Sequence, residues 1–308
     1  MQTKRSSATL AGFGITFLGA VLFSTKAIIV KKAFHDTQID ALSLLTVRMV
    51  FSLPFYLATA FFVSRPGQQT TRLSARQWGQ IAILGLFGYY ISSFLDFEGL
   101  QYVSAGLERL ILFLYPTFTL LINAKLFKQR TSRLQIIAVL LTYTGIAIAY
   151  AGQLRIEAAT ASFYWGSLLV FVCAVTYAIY IAGSGRLIPT VGATRFTAWA
   201  MLASTAGVFV HYGLRGQYAL LHSGTEYWGY GILLAIVATV IPSFLISFGM
   251  KRIGSNNAAI VSAIGPVSTI IQAHFILGEP VFAAQIAGTL LVIAGVLLIG
   301  WKSNQKTE

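Results

Sequence analysis

Six ionisable side chains stand where the chain is otherwise apolar: Lys26, Arg48, Asp96, Glu98, Glu108 and Arg109. Each falls within, or at the end of, a hydrophobic run long enough to cross a bilayer. An ionisable group costs about 2.5–3.5 kcal/mol there on insertion scales, so such groups face a cavity or one another. Three are cations and three are anions, which makes the set formally neutral. Two chemistries fit these residue types. The six could pair off and pin their helices together. Alternatively, spare donors and acceptors could hold a zwitterion, its ammonium toward Asp96 or Glu108 and its carboxylate toward Lys26 or Arg109.

Helical spacing adds polar groups to the same faces. Tyr89, Ser92, Ser93 and Asp96 recur at three- and four-residue intervals, and Glu108, Tyr115 and Thr119 share a second face. Ser262, Thr269 and Gln272 do the same around Pro266, while Thr239 and Ser243 flank Pro242. Tyr177 and Tyr180 would supply aromatic walls. A lone Ser or Thr in a span commonly bonds its own i−4 carbonyl, so each hydroxyl has a structural reading beside the binding one. Pro116 and Pro266 would each delete a backbone hydrogen bond near mid-span, which reads either as a packing kink or as a hinge.

The elements that must carry these residues are membrane helices. With 56% hydrophobic and 10% charged residues and a mean hydropathy of +0.73, the chain is far from the composition of a soluble domain. A span needs about 20 apolar residues to cross a hydrocarbon core of about 30 Å. That length predicts ten spans: 10–31, 41–63, 78–98, 104–126, 133–152, 163–184, 194–213, 228–249, 256–277 and 282–301. The runs are continuous, unlike the alternating segments of an outer-membrane barrel. The longest connections, 64–77 and 214–227, are too short for a soluble domain. With the amino terminus placed in the cytoplasm, 15 Lys and Arg fall in inner segments against 4 in outer loops, so both termini are expected inside. The excess of 22 basic over 9 acidic residues is then a property of topology, and no nucleic-acid partner is needed. One cysteine, Cys173, excludes an internal disulfide and a cysteine-based metal site. No GK[ST] phosphate loop and no HExxH or GxSxG motif occurs. The expectation is therefore no enzyme activity, no metal and no cofactor.

A shift of 150 residues superimposes 78–152 on 228–302 without a gap. Trp78-Gly79 meets Trp228-Gly229, Ser93-Phe94-Leu95 meets Ser243-Phe244-Leu245, Gly99 meets Gly249, and Pro116 meets Pro266. Two halves, 1–152 and 153–308, would each hold five helices. Because five is odd, the copies would enter the membrane from opposite sides. Inverted repeats of this kind are the architecture of alternating-access carriers. The fold class expected is an all-α polytopic membrane protein with ten transmembrane helices in two inverted five-helix repeats around a central cavity.

The runs "GLQYVSAGLERLILFLYPTFTLL" at 99–121 and "GMKRIGSNNAAIVSAIGPVSTII" at 249–271, with "GEP" at 278–280, resemble EamA-domain transporters of the drug/metabolite transporter superfamily. Among these the chain is most similar to bacterial amino-acid exporters of the YddG type. That resemblance implies a basket lined by the first, third, fourth, sixth, eighth and ninth spans. It also implies a location in the bacterial inner membrane and a small-molecule substrate, with neutral or aromatic amino acids leading. Cationic drugs, sugar phosphates or a non-transporting scaffold are the alternatives. The second span is peripheral in such a basket, so Arg48 reads as structural. The substrate-binding set is then Lys26, Tyr89, Ser93, Asp96, Glu98, Glu108, Arg109, Tyr115, Tyr177, Tyr180, Ser243, Ser262 and Thr269, with Pro116 and Pro266 as hinges. Gly288, Gly295 and Ala284 on the last span suit close helix packing, in a monomer or a weak homodimer.

Overall fold

The computed structural model describes residues 2–64, 73–127, 133–156, 160–216, 226–262 and 264–304. Among them every regular element is helical. Six helices are long and apolar enough to span a membrane: Leu10–Thr37, Ala41–Val63, Ala75–Leu100, Ala105–Leu126, Ala161–Val191 and Tyr227–Ile253. Val139–Gly152, Ile264–Leu277 and Ala283–Gly295 are shorter apolar helices. Large side chains such as Phe61, Phe62, Leu140, Leu290 and Phe275 point outward, as an acyl-chain solvent requires. The seventh expected span coincides with a 23-residue helix, Ala193–Arg215, whose hydroxyl and histidine residues dilute its apolar character.

In chain order the helices are α1 (Gln2–Thr37), α2 (Ala41–Val63), α3 (Ala75–Gly85), α4 (Ser92–Leu100), α5 (Ala105–Leu112), α6 (Tyr115–Phe127), α7 (Arg133–Ile156), α8 (Ala161–Val191), α9 (Ala193–Arg215), α10 (Glu226–Ala235), α11 (Ile241–Val261), α12 (Ile264–Gln272) and α13 (Ala283–Asn304). Their starts follow capping chemistry. Asp40 accepts from the backbone of Leu42 and Ser43 at 3.1 Å each. Ser74 and Gln77 form a capping box, and Ser104 and Thr160 cap α5 and α8.

Two wide turns interrupt otherwise continuous rods. A π-helical segment, Leu86–Ile91, joins α3 to α4, and another, Ile236–Val240, joins α10 to α11. They begin 150 residues apart, the same offset that superimposes the sequence on itself. A third, Ala273–Leu277, ends the α12 rod.

Both prolines sit at interruptions of their rods, beside the backbone hydrogen bond each of them deletes. The rod carrying Pro116 is broken one turn earlier, at Phe113 and Leu114, so Pro116 sits in the first turn of α6. Pro266 likewise sits in the first turn of α12, just after a break at Ser262. First-turn N–H groups have no helical partner, so proline costs nothing there. The connection expected at 250–255 is itself helical, since α11 continues to Val261. The chain still reverses there: Gly12 lies against Ile253, whereas Gly265 lies against Ser24, 12 residues further along α1.

The small residues of α13 pack within the chain. Gly288 and Gly145 of α7 bring their backbones together, and a Cβ on either would fall 2.3–2.5 Å from the other's carbonyl oxygen. Gly152 meets Ala284 in the same seam. This accounts for Gly288 and Ala284 without a second copy.

One cross-connection was not read from sequence. Gly278 ends the α12 rod in the left-handed region, at φ +70°. That turn sends Glu279 across to the start of α5, where its carboxylate accepts from Ala105 N (2.8 Å) and Gly106 N (3.2 Å). A carboxylate on free amides at a helix N-terminus is favourable by both hydrogen bonding and the helix dipole. Glu279→Ala should lower the melting temperature of the detergent-purified protein, at a cost of about 1–2 kcal/mol. An unchanged melt would show that this cap adds nothing.

Candidate functional site

The ionisable cluster assembles where α1, α2, α4 and α5 meet. Lys26 Nζ lies 2.6 Å from Asp96 Oδ2, with both side chains almost wholly shielded from solvent. The Glu108 carboxyl, fully buried, faces Asp96. Arg109 leaves α5 on the neighbouring face and donates from Nη2 to Ser24 Oγ (3.2 Å), while its Nε has no acceptor. Ser24 also ties α1 to α12, because its carbonyl accepts from Thr269 Oγ1 at 3.3 Å. One surface of the guanidinium lies against Gly265.

Phe23 is the aromatic floor of this cluster. Lys26 Nζ stands 5.2 Å and the Arg109 guanidinium 5.5 Å from its ring centre, distances at which a cation is attracted to a ring face. The ring stacks on Tyr177 at 6.3 Å. From there an aromatic chain continues: Tyr177 meets Tyr115 edge-on at 5.1 Å and stacks on Tyr180 at 5.8 Å. Tyr180 donates to the Tyr89 hydroxyl at 3.3 Å.

Three small voids surround these groups, each of about 20 Å³, room for roughly one water. The first is bounded by Phe23, Lys26, Arg48, Tyr89, Ser93 and Tyr177, with Cys173 and Thr239 also on its wall. The second and third lie between Tyr115, Tyr177, Ile246 and Ser262, with Arg109 on the wall of the second. Both helix breaks therefore open onto the same interior. Both interrupting π turns do so as well: Tyr89 and Thr239, 150 residues apart, come from Leu86–Ile91 and Ile236–Val240 and line one void. Thr239 Oγ1 donates to Leu234 O, a five-residue step that the π turn makes available. A cavity of about 800 Å³ opens beyond the cluster at the end where α1 meets α2, walled by Lys31, Asp36, Asp40, Ser104 and Glu279.

Of the residues expected at the site, Lys26, Asp96, Glu108, Arg109, Tyr89, Ser93, Tyr115, Tyr177 and Ser262 converge. Tyr180 stands in the second layer behind Tyr89 and Tyr177. Ser243 is engaged by Tyr56 of α2 (2.9 Å), and Thr269 by Ser24. Glu98 is not brought in: it accepts from Gln101 Nε2 at 2.8 Å and lies near Arg215 and Asp40.

Arg48 needs a correction. The first half of α2 is buried from Ala41 to Met49, not peripheral. Arg48 reaches the first void, its guanidinium 5.1 Å from the Phe97 ring, and forms no ion pair with a described carboxylate. Phe23 was missed too, although its position three residues before Lys26 puts it on the same face of α1.

This interior gathers charged groups beside two broken helices in a bundle with an apolar exterior. The EamA-like transporter family matches residues 10–151 and again 164–301. The chain belongs to the EamA-like transporter family. It is 30% identical to the uncharacterized transporter YcbK of Bacillus subtilis (strain 168), over 99% of this chain and 98% of that protein. It is 23% identical to the biotin transporter of Escherichia coli (strain K12), over 80% and 82% of the two chains. A solved crystal structure shares the fold with a TM-score of 0.67 at 20% identity, over 98% of this chain and 99% of that one. This EamA-family chain is a multi-pass membrane transporter and not an enzyme.

Proposed function

We propose that the chain moves small metabolites of amino-acid size out of the cell by alternating access between two inverted five-helix repeats, with both termini cytoplasmic. The ligands would bear a carboxylate and an apolar or aromatic body. Neutral and aromatic amino acids are the first class to test. The observation that carries this reading is the set of buried charged groups around one aromatic-walled interior: Lys26 bound to Asp96, Glu108 facing Asp96, and Arg109, whose Nε has no acceptor among the described residues. A bundle held together purely by ion pairs would satisfy such a donor internally. In this reading Glu108 and Asp96 take an ammonium or other donor. Arg109 takes a carboxylate, and Phe23, Tyr115 and Tyr177 enclose the body.

The voids beside the cluster are too small for a ligand of that size, so loading requires them to enlarge. The places to bend are built in. The breaks before Pro116 and Pro266 and the π turns at Tyr89 and Thr239 lie at matching positions of the two halves, all bordering the site. Discontinuous helices at the repeat interface are the usual site builders in carriers. The two separate family matches support the division into halves. Making the breaks helical, with Phe113→Ala/Leu114→Ala beside Pro116→Ala, should slow exchange while ligand binding persists. Unchanged exchange would remove the breaks from the mechanism.

Counterflow in proteoliposomes tests the function itself. With labelled amino acids, sugar phosphates and cationic drugs offered in parallel, carboxylate-bearing ligands of amino-acid size should exchange. Exchange of only the drugs or phosphates, or of nothing, would overturn the proposal.

A further inference from the structure

The buried charges do not balance. Among the described residues, five ionisable side chains of formal charge are buried: Lys26, Arg48 and Arg109 against Asp96 and Glu108. Glu98, which would have made the set neutral, lies half-buried on another face beside Arg215 and Asp40. The interior therefore holds a surplus of one positive charge, and any proton taken up by a carboxyl enlarges it.

The surplus can be located. Lys26 is bound to Asp96 at 2.6 Å. Arg109 has Ser24 and the Phe23 ring. Arg48 is 2% exposed, and its Nε and Nη2 have no acceptor. Around it stand the Phe97 ring, the hydroxyls of Tyr56 and Tyr89, and Asp96, which Lys26 already engages. The guanidinium lines the void shared by Lys26, Tyr89, Ser93 and Thr239. A buried, forked donor without an acceptor, opening onto a cavity, is suited to a carboxylate, which it can grip with two parallel hydrogen bonds. Leaving it empty strands a cation in a poorly polarisable medium.

We infer that Arg48 is the carboxylate-holding, specificity-determining residue of the site, and that the site selects ligands of net charge −1 over zwitterions of the same shape. The chemical class is a small organic carboxylate with an apolar or aromatic body and no compensating ammonium, such as a deaminated or N-acylated amino acid. This rests on the carrier reading above but replaces its zwitterion with a monoanion and places the carboxylate on Arg48 instead of Arg109. A zwitterion leaves the surplus uncancelled, because its ammonium adds the charge that its carboxylate removes. A monoanion cancels it.

The test is direct binding to the full chain in detergent, by calorimetry, with matched ligands: phenylalanine against 3-phenylpropanoate and N-acetylphenylalanine, and leucine against 4-methylpentanoate. The monoanions should bind at least tenfold more tightly than their zwitterionic partners. Arg48→Gln should erase that preference, and Arg48→Lys should restore part of it, which a purely structural role for Arg48 would not do. Monoanions that bind no better than the zwitterions, or an undiminished preference in a folded Arg48→Gln protein, would overturn the inference while leaving the carrier reading intact. If Arg48→Gln fails to fold, the wild-type preference together with Arg48→Lys decides the question. No binding by any carboxylate, combined with no counterflow, would remove the carrier reading and this inference together.

Discussion

Replacing Lys26 with Met is expected to destabilise the protein by about 3–5 kcal/mol and abolish exchange. The reason is the carboxyl pair it leaves behind. Asp96 and Glu108 face each other in full burial, and Lys26 is the one cation in ion-pair contact with Asp96 among the described residues. Without the ammonium, a buried carboxylate loses its 2.6 Å partner and faces the Glu108 carboxyl without a countercharge. Breaking a buried pair from one side is far more costly than removing both partners. The double variant Lys26→Met/Asp96→Leu should therefore recover much of the lost stability, and it should still fail to transport. That combination separates the two readings of the cluster. A structural pin predicts that transport returns with stability, whereas a binding site predicts that it does not. Thermal melts and counterflow on the same three preparations decide the matter. A stable, fully active Lys26→Met protein would remove the ion pair from both roles.

Gly288→Val is expected to be nearly as damaging, for a purely steric reason. At this seam α7 and α13 approach backbone to backbone, and a Cβ on Gly288 would lie 2.3 Å from Gly145 O and 2.8 Å from the Ala149 methyl. A carbonyl on a helix cannot swing aside as a flexible side chain does. The helices must separate, and close packing elsewhere along the seam is lost. Overpacking of this kind typically costs about 1–3 kcal/mol, and in a bilayer close van der Waals contact is a main force holding helices together. The variant should show a lower melting temperature and more aggregate on size exclusion. If it remained as stable as wild type but lost a dimer, the glycine seam would belong to an interface between copies instead.

The helices were legible because the bilayer imposes a length: six expected spans coincide with helices long and apolar enough to cross it, whereas the expected span 256–277 begins inside α11 and runs over the break at Ser262 into α12. The central cluster was legible for a related reason. Lys26, Asp96, Glu108 and Arg109 are costly in apolar runs, and their types announce partners. What periodicity cannot show is where a rod is interrupted. Phe113 and Leu114 are as apolar as their neighbours, and Pro116 is the one residue that marks the interruption beside it. The π turns leave no compositional trace at all. Their presence shows in five-residue backbone bonds such as Ser92 N–H to Phe87 O and Ile241 N–H to Ile236 O, and in the shared wall of Tyr89 and Thr239.

Charge bookkeeping failed at one residue. Glu98 and Asp96 are two positions apart on one helix, and two positions turn a helix by more than half a circle. They were nonetheless counted as one set. With Glu98 facing Gln101 and Arg215, the apparent neutrality dissolves and Arg48 emerges as the unmatched group. Glu279 went unread because its partners are backbone amides of α5, far away in sequence, and no pattern of residue types marks them.

The central claim is that the buried cluster binds the transported molecule. Its most direct test is Glu108→Gln, which keeps the side chain's shape and removes its charge, assayed by carboxylate counterflow in proteoliposomes with membrane insertion and melting temperature measured alongside. The account predicts a folded, correctly inserted protein whose exchange falls to the background of empty liposomes. Wild-type exchange by folded Glu108→Gln would contradict it.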